Sequence, residues 1–265
     1  MIERIETLFL GFFLLSAIFW AVEGRFAASP RQPRLAARRG FRTDLIYWFA
    51  TPLLTKAISQ VGLVALIVLV YRAQPAEVQA LLATRETLLG SQPLGVQAVE
   101  MLLLGDLIGY WMHRSFHGRR LWKFHAVHHS SRDLDWLSTV RVHPVNDSLM
   151  RWMQASVLVL LGFRPAAIAA YVPFLAFYAV FIHANVSWGF GRLGWLIVSP
   201  RFHRWHHSTE VAGPARNFAG LFPFIDWIFG TYYLPADRLP QSFGLSNERV
   251  PEDYFGQLIY PFRRA

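Results

Sequence analysis

Apolar positions in this chain run in long blocks rather than in the spaced stripes of a soluble domain. The cleanest block, IETLFLGFFLLSAIFWAV at Ile5–Val22, is close to the roughly 20 residues a helix needs to cross a bilayer. Acidic Glu3 and Glu6 accompany Arg4, and no small-residue cleavage site follows promptly, so the block reads as a retained span rather than a signal peptide. A second block, Leu45–Tyr71, is interrupted by Pro52, Lys56 and Gln60. It reads either as one long tilted helix or as an interfacial piece followed by a span. A third block covers Leu94–Met112, and Ser148–Phe163 and Ala166–Ile182 read as a helical hairpin turning at GFRP. The pattern predicts an all-α integral membrane protein with about four to five transmembrane helices.

Composition supports that solvent assignment. The chain has 265 residues, of which 54% are hydrophobic and only 16% charged, against about 25% charged in a soluble domain. The net charge is +9, and its distribution decides its meaning. The loop after the first span, GRFAASPRQPRLAARRGFRT, holds six arginines and no acid, and such loops stay cytoplasmic. The N-terminus and the 75–93 loop then face outward, and the ends of the third and fifth blocks, with His113 and His183, face the cytoplasm. The expected location is integral to a membrane, the inner or plasma membrane in a bacterium. Basic residues beside spans are accounted for by topology and anionic lipid, so no nucleic-acid partner is expected. Cysteine is absent, which excludes disulfides, thiolate metal sites and cysteine nucleophiles. No Ser–His–Asp pattern points to hydrolysis, and no repeat or linker divides the chain.

The candidate chemistry lies in the histidines. Six of ten fall in two HxxHH clusters, KFHAVHHSS at Lys123–Ser131 and FHRWHHS at Phe202–Ser208. Residues three and four apart share a helical face, so His125, His128 and His129, and again His203, His206 and His207, present imidazoles over an arc of about 100° toward a common point. His113 and His117 form a further i, i+4 pair. Imidazole is a neutral ligand for iron, zinc, copper or nickel. So many rings exceed the four that a tetrahedral zinc uses, and two metals are the simpler account. Asp106, Tyr110, His113 and His117 fall on one helical face. An ionisable residue within a span points to function, and Asp106 is expected to accept the outer N–H of a ligating imidazole, or else to pair structurally with arginine. Asp226 and Glu210 read as solvated loop acids, and the aromatic run NFAGLFPFIDWIFGTYY as an interfacial belt.

Taken in order, HxxxH at 113–117, HxxHH after a seven-residue gap, an isolated histidine in HANVSW and a second HxxHH resemble the fatty acid hydroxylase/sterol desaturase superfamily. The likeness runs from about Asp44 to Leu234 and includes DLIGYWMHRSFH, HHSSRDLDWLSTVRVHP and RNFAG…DWIFGTYY. It implies one domain over 1–265, with a first span and Arg-rich loop at 1–43, a core at 44–235, a tail at 236–265 and a cytoplasmic, helical, histidine-rich cap. It implies His113, His117, His125, His128, His129, His183, His203, His206 and His207 as ligands of two irons per chain, with zinc an in vitro substitute. Some members carry a further histidine where this chain has Ser187, so Asn217, His143 or water is expected to fill that place. The implied reaction uses O2 and two electrons to hydroxylate or desaturate an unactivated C–H of a lipid-like substrate: a fatty-acyl lipid, sterol, carotenoid or ether lipid. The chain holds no recognisable flavin, haem or iron–sulfur motif, so electrons are expected from a separate cytoplasmic donor of ferredoxin or cytochrome b5 type. The competing reading is a non-catalytic metal-binding or metal-transporting membrane protein. Transporters hold their sites near the bilayer midplane, whereas these ligands lie at the ends of spans.

Overall fold

The computed structural model describes residues 2–211, 213, 215–246 and 248–263, without the side chains of residues 2–4. The side chains of Glu3 and Arg4 and the last two residues of the tail therefore lie outside the described residues. The chain forms helices α1 (Ile2–Phe26), α2 (Phe41–Tyr71), α3 (Val78–Thr84), α4 (Leu94–Phe116), α5 (Trp122–His129), α6 (Pro144–Leu161), α7 (Pro165–His183), α8 (Pro200–His206), α9 (Pro223–Ile228) and α10 (Tyr254–Ile259). Among the described residues, extended pairing is limited to isolated bridges.

Four helices are long and apolar enough to cross a membrane: α1 from Ile5, α2, α4 and α7. α1 turns Leu10, Phe13, Leu14 and Trp20 outward, a surface that only an apolar solvent tolerates at this extent. α2 is one continuous helix through Pro52, which decides between the two readings of its block. The expected α6–α7 hairpin forms, turning at Gly162. Its first arm is the more polar one, carrying Asn146, Asp147, Arg151 and Gln154. Asp147 accepts from Thr55 of α2 at 2.6 Å and pairs with Arg151, so α6 packs along α2 and α4. α4 and α7 meet closely at Gly105, where a Cβ would stand 1.8 Å from the Tyr171 hydroxyl.

Beneath the helix ends that carry the histidines lies a run of buried ion pairs. Asp135 pairs with Arg38, Arg38 with Asp44 at 2.6 Å, and Asp44 with Arg141 at 2.5 Å. Arg38 belongs to the arginine-rich loop, but its side chain is buried and structural rather than a free juxtamembrane charge. A buried charge must be paired and hydrogen-bonded, and here the pairing joins the start of α2 to the 135–141 segment. Glu23, at the end of α1, ties in the same region by accepting from the backbone N–H groups of Trp136 and Asn185. Arg204 is fully buried between His203 and Trp205 and donates to the Leu134 carbonyl and the Ser29 hydroxyl.

Candidate metal centre

Nine histidines converge from four parts of the chain into two groups. His113, His117, His125, His129 and His206 form one; His128, His183, His203 and His207 form the other. Within each group the ligand atoms all lie within 4.8 Å of one another. His113 and His117 come from the end of α4, His125, His128 and His129 from α5, His183 from the last residue of α7, and the rest from α8 and its cap.

Each HxxHH box is divided between the groups. Its first and last histidines, His125 with His129 and His203 with His207, serve one group each, and the middle histidines, His128 and His206, serve the opposite group. Helical geometry explains this. Positions i and i+4 differ by about 40°, whereas i+3 and i+4 diverge by about 100°. The arc read from sequence as facing one point thus faces two. The groups touch where the His129 and His207 rings stack with centroids 4.4 Å apart.

Backbone and side-chain acceptors behind the rings fix which nitrogen faces inward. The Nδ1 atoms of His113, His128, His183 and His206 lie 2.8, 3.2, 2.7 and 2.7 Å from the carbonyl oxygens of Phe218, Arg141, Ala179 and Arg216. The Nδ1 of His125 lies 2.8 Å from Asn146 Oδ1. A carbonyl only accepts, so each of these Nδ1 atoms carries the proton and each Nε2 presents a lone pair. Yet His128 Nε2 faces His183 Nε2 at 3.1 Å, and His113 Nε2 faces His125 Nε2 at 3.1 Å. Neither pair has a proton to share, and two lone pairs at that distance repel unless a cation draws both. With metal–nitrogen bonds of about 2.0–2.1 Å, neighbouring ligands sit roughly 2.9 Å apart at right angles and 3.4 Å apart in a tetrahedron. The observed spacing falls between these values. His117 Nε2 is also buried with no hydrogen-bond partner among the described residues. The donor set fits metal ions.

Electrostatics favours the ligating form. Burial first, and neighbouring imidazoles second, hold His117, His125, His128, His129, His203, His206 and His207 well below the usual histidine range, against the opposing ring hydrogen bonds of His125, His128 and His206, so these rings are neutral. Neutral imidazole is the species that binds metal.

Three expected site residues take other roles. His143 belongs to neither group: its Nδ1 accepts from Val145 N–H as the cap of α6, and its Nε2 donates to the Leu258 carbonyl. Both ring nitrogens are used, so none remains for a metal. Asn217 is equally engaged. Its amide donates to the Phe202 and Tyr233 carbonyls, its oxygen accepts from Tyr233 N–H, and its backbone has φ +60°, a conformation asparagine tolerates better than most residues. Among the described residues, Asp106 meets no imidazole and no arginine. Its carboxylate accepts from the backbone N–H groups of Gly220, Leu221 and Phe222 at 2.8, 3.0 and 2.7 Å. It acts on His113 at one remove, by holding the loop whose Phe218 carbonyl receives that ring.

Ser187 does not sit where a fifth ligand of the smaller group would. α7 ends at His183, Ala184 is extended, and Ser187 is exposed beside the Phe26 backbone. Residues that sequence reasoning passed over stand behind the rings. Asn146 holds His125, and Arg141 holds His128. Asp226, read as a solvated acid, is buried and accepts from Phe218 N–H, Ala219 N–H and the Thr231 hydroxyl. Burial raises its carboxyl, and these donors oppose that shift. For Arg141 and Asp226 the signal lay in the motifs HHSSRDLDWLSTVRVHP and RNFAG…DWIFGTYY, whereas Asn146 lies two residues beyond the first of these.

A family model described as fatty acid hydroxylase matches residues 98–231, which spans all nine of these histidines. An ornithine lipid hydroxylase of Rhizobium tropici is 31% identical over 175 residues, covering 65% of this chain and 52% of that protein. An alkylglycerol monooxygenase of Danio rerio is 33% identical over 135 residues, covering 51% of this chain and 30% of its own length. A very-long-chain aldehyde decarbonylase of Oryza sativa subsp. indica is 27% identical over 160 residues, covering 56% of this chain and 25% of its own. The chain thus spans about half of the first relative and less than a third of the other two. No solved structure matches the chain.

Proposed function

The chain belongs to the fatty acid hydroxylase family, and on that premise we propose that it is a membrane-bound di-iron oxygenase acting on a lipid-like substrate. The observation that carries this reading is the division of nine buried imidazoles into groups of five and four, with lone pairs turned inward. Each group would hold one iron. Bound iron would supply activation of O2, with two electrons, for hydroxylation or desaturation at an unactivated C–H bond.

The residues of the chain supply orientation and exclusion of water. Carbonyls of Phe218, Arg141, Ala179 and Arg216, with Asn146 Oδ1, keep five rings in one tautomer and one direction. Asp106 and Asp226 clamp the 218–222 backbone, so the His113 support is itself held. Phe218 packs edge-on against His113, His117 and His206 and closes the larger group on that side. The smaller group has one fewer imidazole, so an ion there would be held by one fewer protein nitrogen.

The relatives' names include a hydroxylase of ornithine lipids and monooxygenases of alkylglycerols, and the proposed substrate class is a lipid of fatty-acyl, ether, sterol or carotenoid type. An apolar cavity of about 580 Å³ lined by Trp195, Phe224, Trp227, Ile228 and Tyr232 supports access from the bilayer. The arginine-rich loop favours a cytoplasmic histidine face, where a separate electron donor would dock. The test is comparison of lipid extracts, under ¹⁸O₂, from cells expressing the protein and cells expressing His206→Ala. A lipid carrying ¹⁸O, or one newly unsaturated, only with the unaltered protein supports the reading; identical lipid pools oppose it.

A further inference from the structure

A cavity of about 300 Å³ lies where the end of α5, the start of α2 and the C-terminal segment meet. Four arginines line it: Arg39, Arg132, Arg141 and Arg249. The side chains of Arg39, Arg132 and Arg249 make no ion pair or hydrogen bond among the described residues, and all three residues are exposed. Two acids share the wall, but Glu248 is already engaged. Its oxygens accept from Trp122 Nε1 at 2.8 Å and the Tyr260 hydroxyl at 2.6 Å. Those donors are neutral, so Glu248 and Glu252 together offset two of the three unpaired guanidinium groups and leave the wall net positive.

Arg141 differs from the other three in being buried. Its Nε is fixed by Asp44 at 2.5 Å, while among the described residues its terminal nitrogens reach only the Ser130 hydroxyl and the Gly40 carbonyl, each at 3.4 Å. Contacts of that length are weak, so the end of the fork has donor capacity to spare. Gly40 makes this placement possible. Its φ is +76°, and a Cβ there would stand 2.0 Å from Arg141 Nη2. A rigid, buried guanidinium facing a cavity rimmed by free guanidiniums is the arrangement that receives an oxoanion.

We infer that this cavity binds an oxoanion, the phosphate or carboxylate carried by a lipid headgroup. Its level in the fold supports the headgroup as the source, because Gly40 directly precedes the apolar span that begins at Phe41. Its position ties it to the histidines. Leu245 and Glu248 also line a neighbouring cavity whose wall includes His117, His129, His206 and His207. Arg141 supplies both the fork and the carbonyl that holds His128. The lipid as carrier rests on the proposed function, whereas the oxoanion site does not, and binding can be read without turnover.

The experiment is calorimetric titration of the purified full chain, metal-loaded and in uncharged detergent, with three probes: dihexanoyl phosphatidic acid, dihexanoylglycerol and inorganic phosphate. Arg132→Gln/Arg249→Gln is the comparison, since both side chains are exposed and unbonded; equal metal content and melting temperature establish that it folds. Phosphatidic acid should bind the double variant about tenfold or more weakly than the unaltered protein. Dihexanoylglycerol should show no such difference. Phosphate should compete with phosphatidic acid. Phosphate binding that depends on the arginines, without phosphatidic acid binding, would keep the oxoanion site and overturn the headgroup. Equal binding of phosphatidic acid to both proteins, or no binding of either anion, would overturn the site and leave the arginines to an acidic protein partner.

Discussion

His128 and His143 sit in the same stretch of sequence motifs, and both rings are buried. They differ in what their nitrogens meet. His128 gives one nitrogen to a carbonyl and turns the other toward His183, whereas both nitrogens of His143 are consumed by Val145 and Leu258. His143→Ala should therefore retain the metal content of the unaltered protein and lose about 1 kcal/mol with its helix cap, measured by metal analysis beside denaturant unfolding. Loss of a metal equivalent from that variant would return His143 to the ligand set. Asp106→Asn is expected to act through the 220–222 loop. The amide would turn an N–H donor toward backbone donors, costing about 1.5–3 kcal/mol of stability. It should also weaken metal at the five-imidazole group by about 10–100-fold, as loss of ligand support does. Unchanged affinity, read by competition with a chelator, would confine Asp106 to bracing the fold.

At the scale of elements, spans and histidine boxes were legible because both are periodic or continuous features of the sequence. The division of each box between two groups was not, since an arc of about 100° on one helix does not say how many centres face it. That depends on where α4, α7 and α8 bring their own rings. The end of α7 was hidden for a similar reason. HANVS has i, i+4 spacing, but the helix stops at His183 and the following segment pairs with Ala27. Ser187→His should consequently leave metal stoichiometry unchanged; a gain of metal affinity in that variant would mean the segment can re-enter helix. Of the polar residues behind the rings, Asp226 falls within a motif and Asn146 two residues beyond one, and neither could be ranked before its donors were seen.

At the scale of the whole molecule, the helix ends concentrate neutral imidazoles in a buried volume, and this predicts a pH dependence for the metal-free protein. The folded-state values of His117, His125, His128, His129, His203, His206 and His207 lie below the ordinary 6.5. The unfolded chain therefore binds protons that the folded chain does not once pH falls below about 6.5. Their contribution is fully present above that pH and is lost on acidification, with a slope approaching about 1.4 kcal/mol per pH unit for each ring. Unfolding of metal-free protein followed between pH 8 and 5 should show a steep loss on the acid side, and a flat profile would contradict the burial of neutral rings. Metal should oppose the loss by binding the same nitrogens.

The two imidazole groups are proposed as two iron sites in one chain. Anaerobic titration of the purified, metal-free protein with Fe²⁺, followed by removal of loose metal and iron analysis, tests it most directly. Saturation is expected at two irons per chain. Saturation at one would contradict it, since the five- and four-imidazole groups could not then both be iron centres.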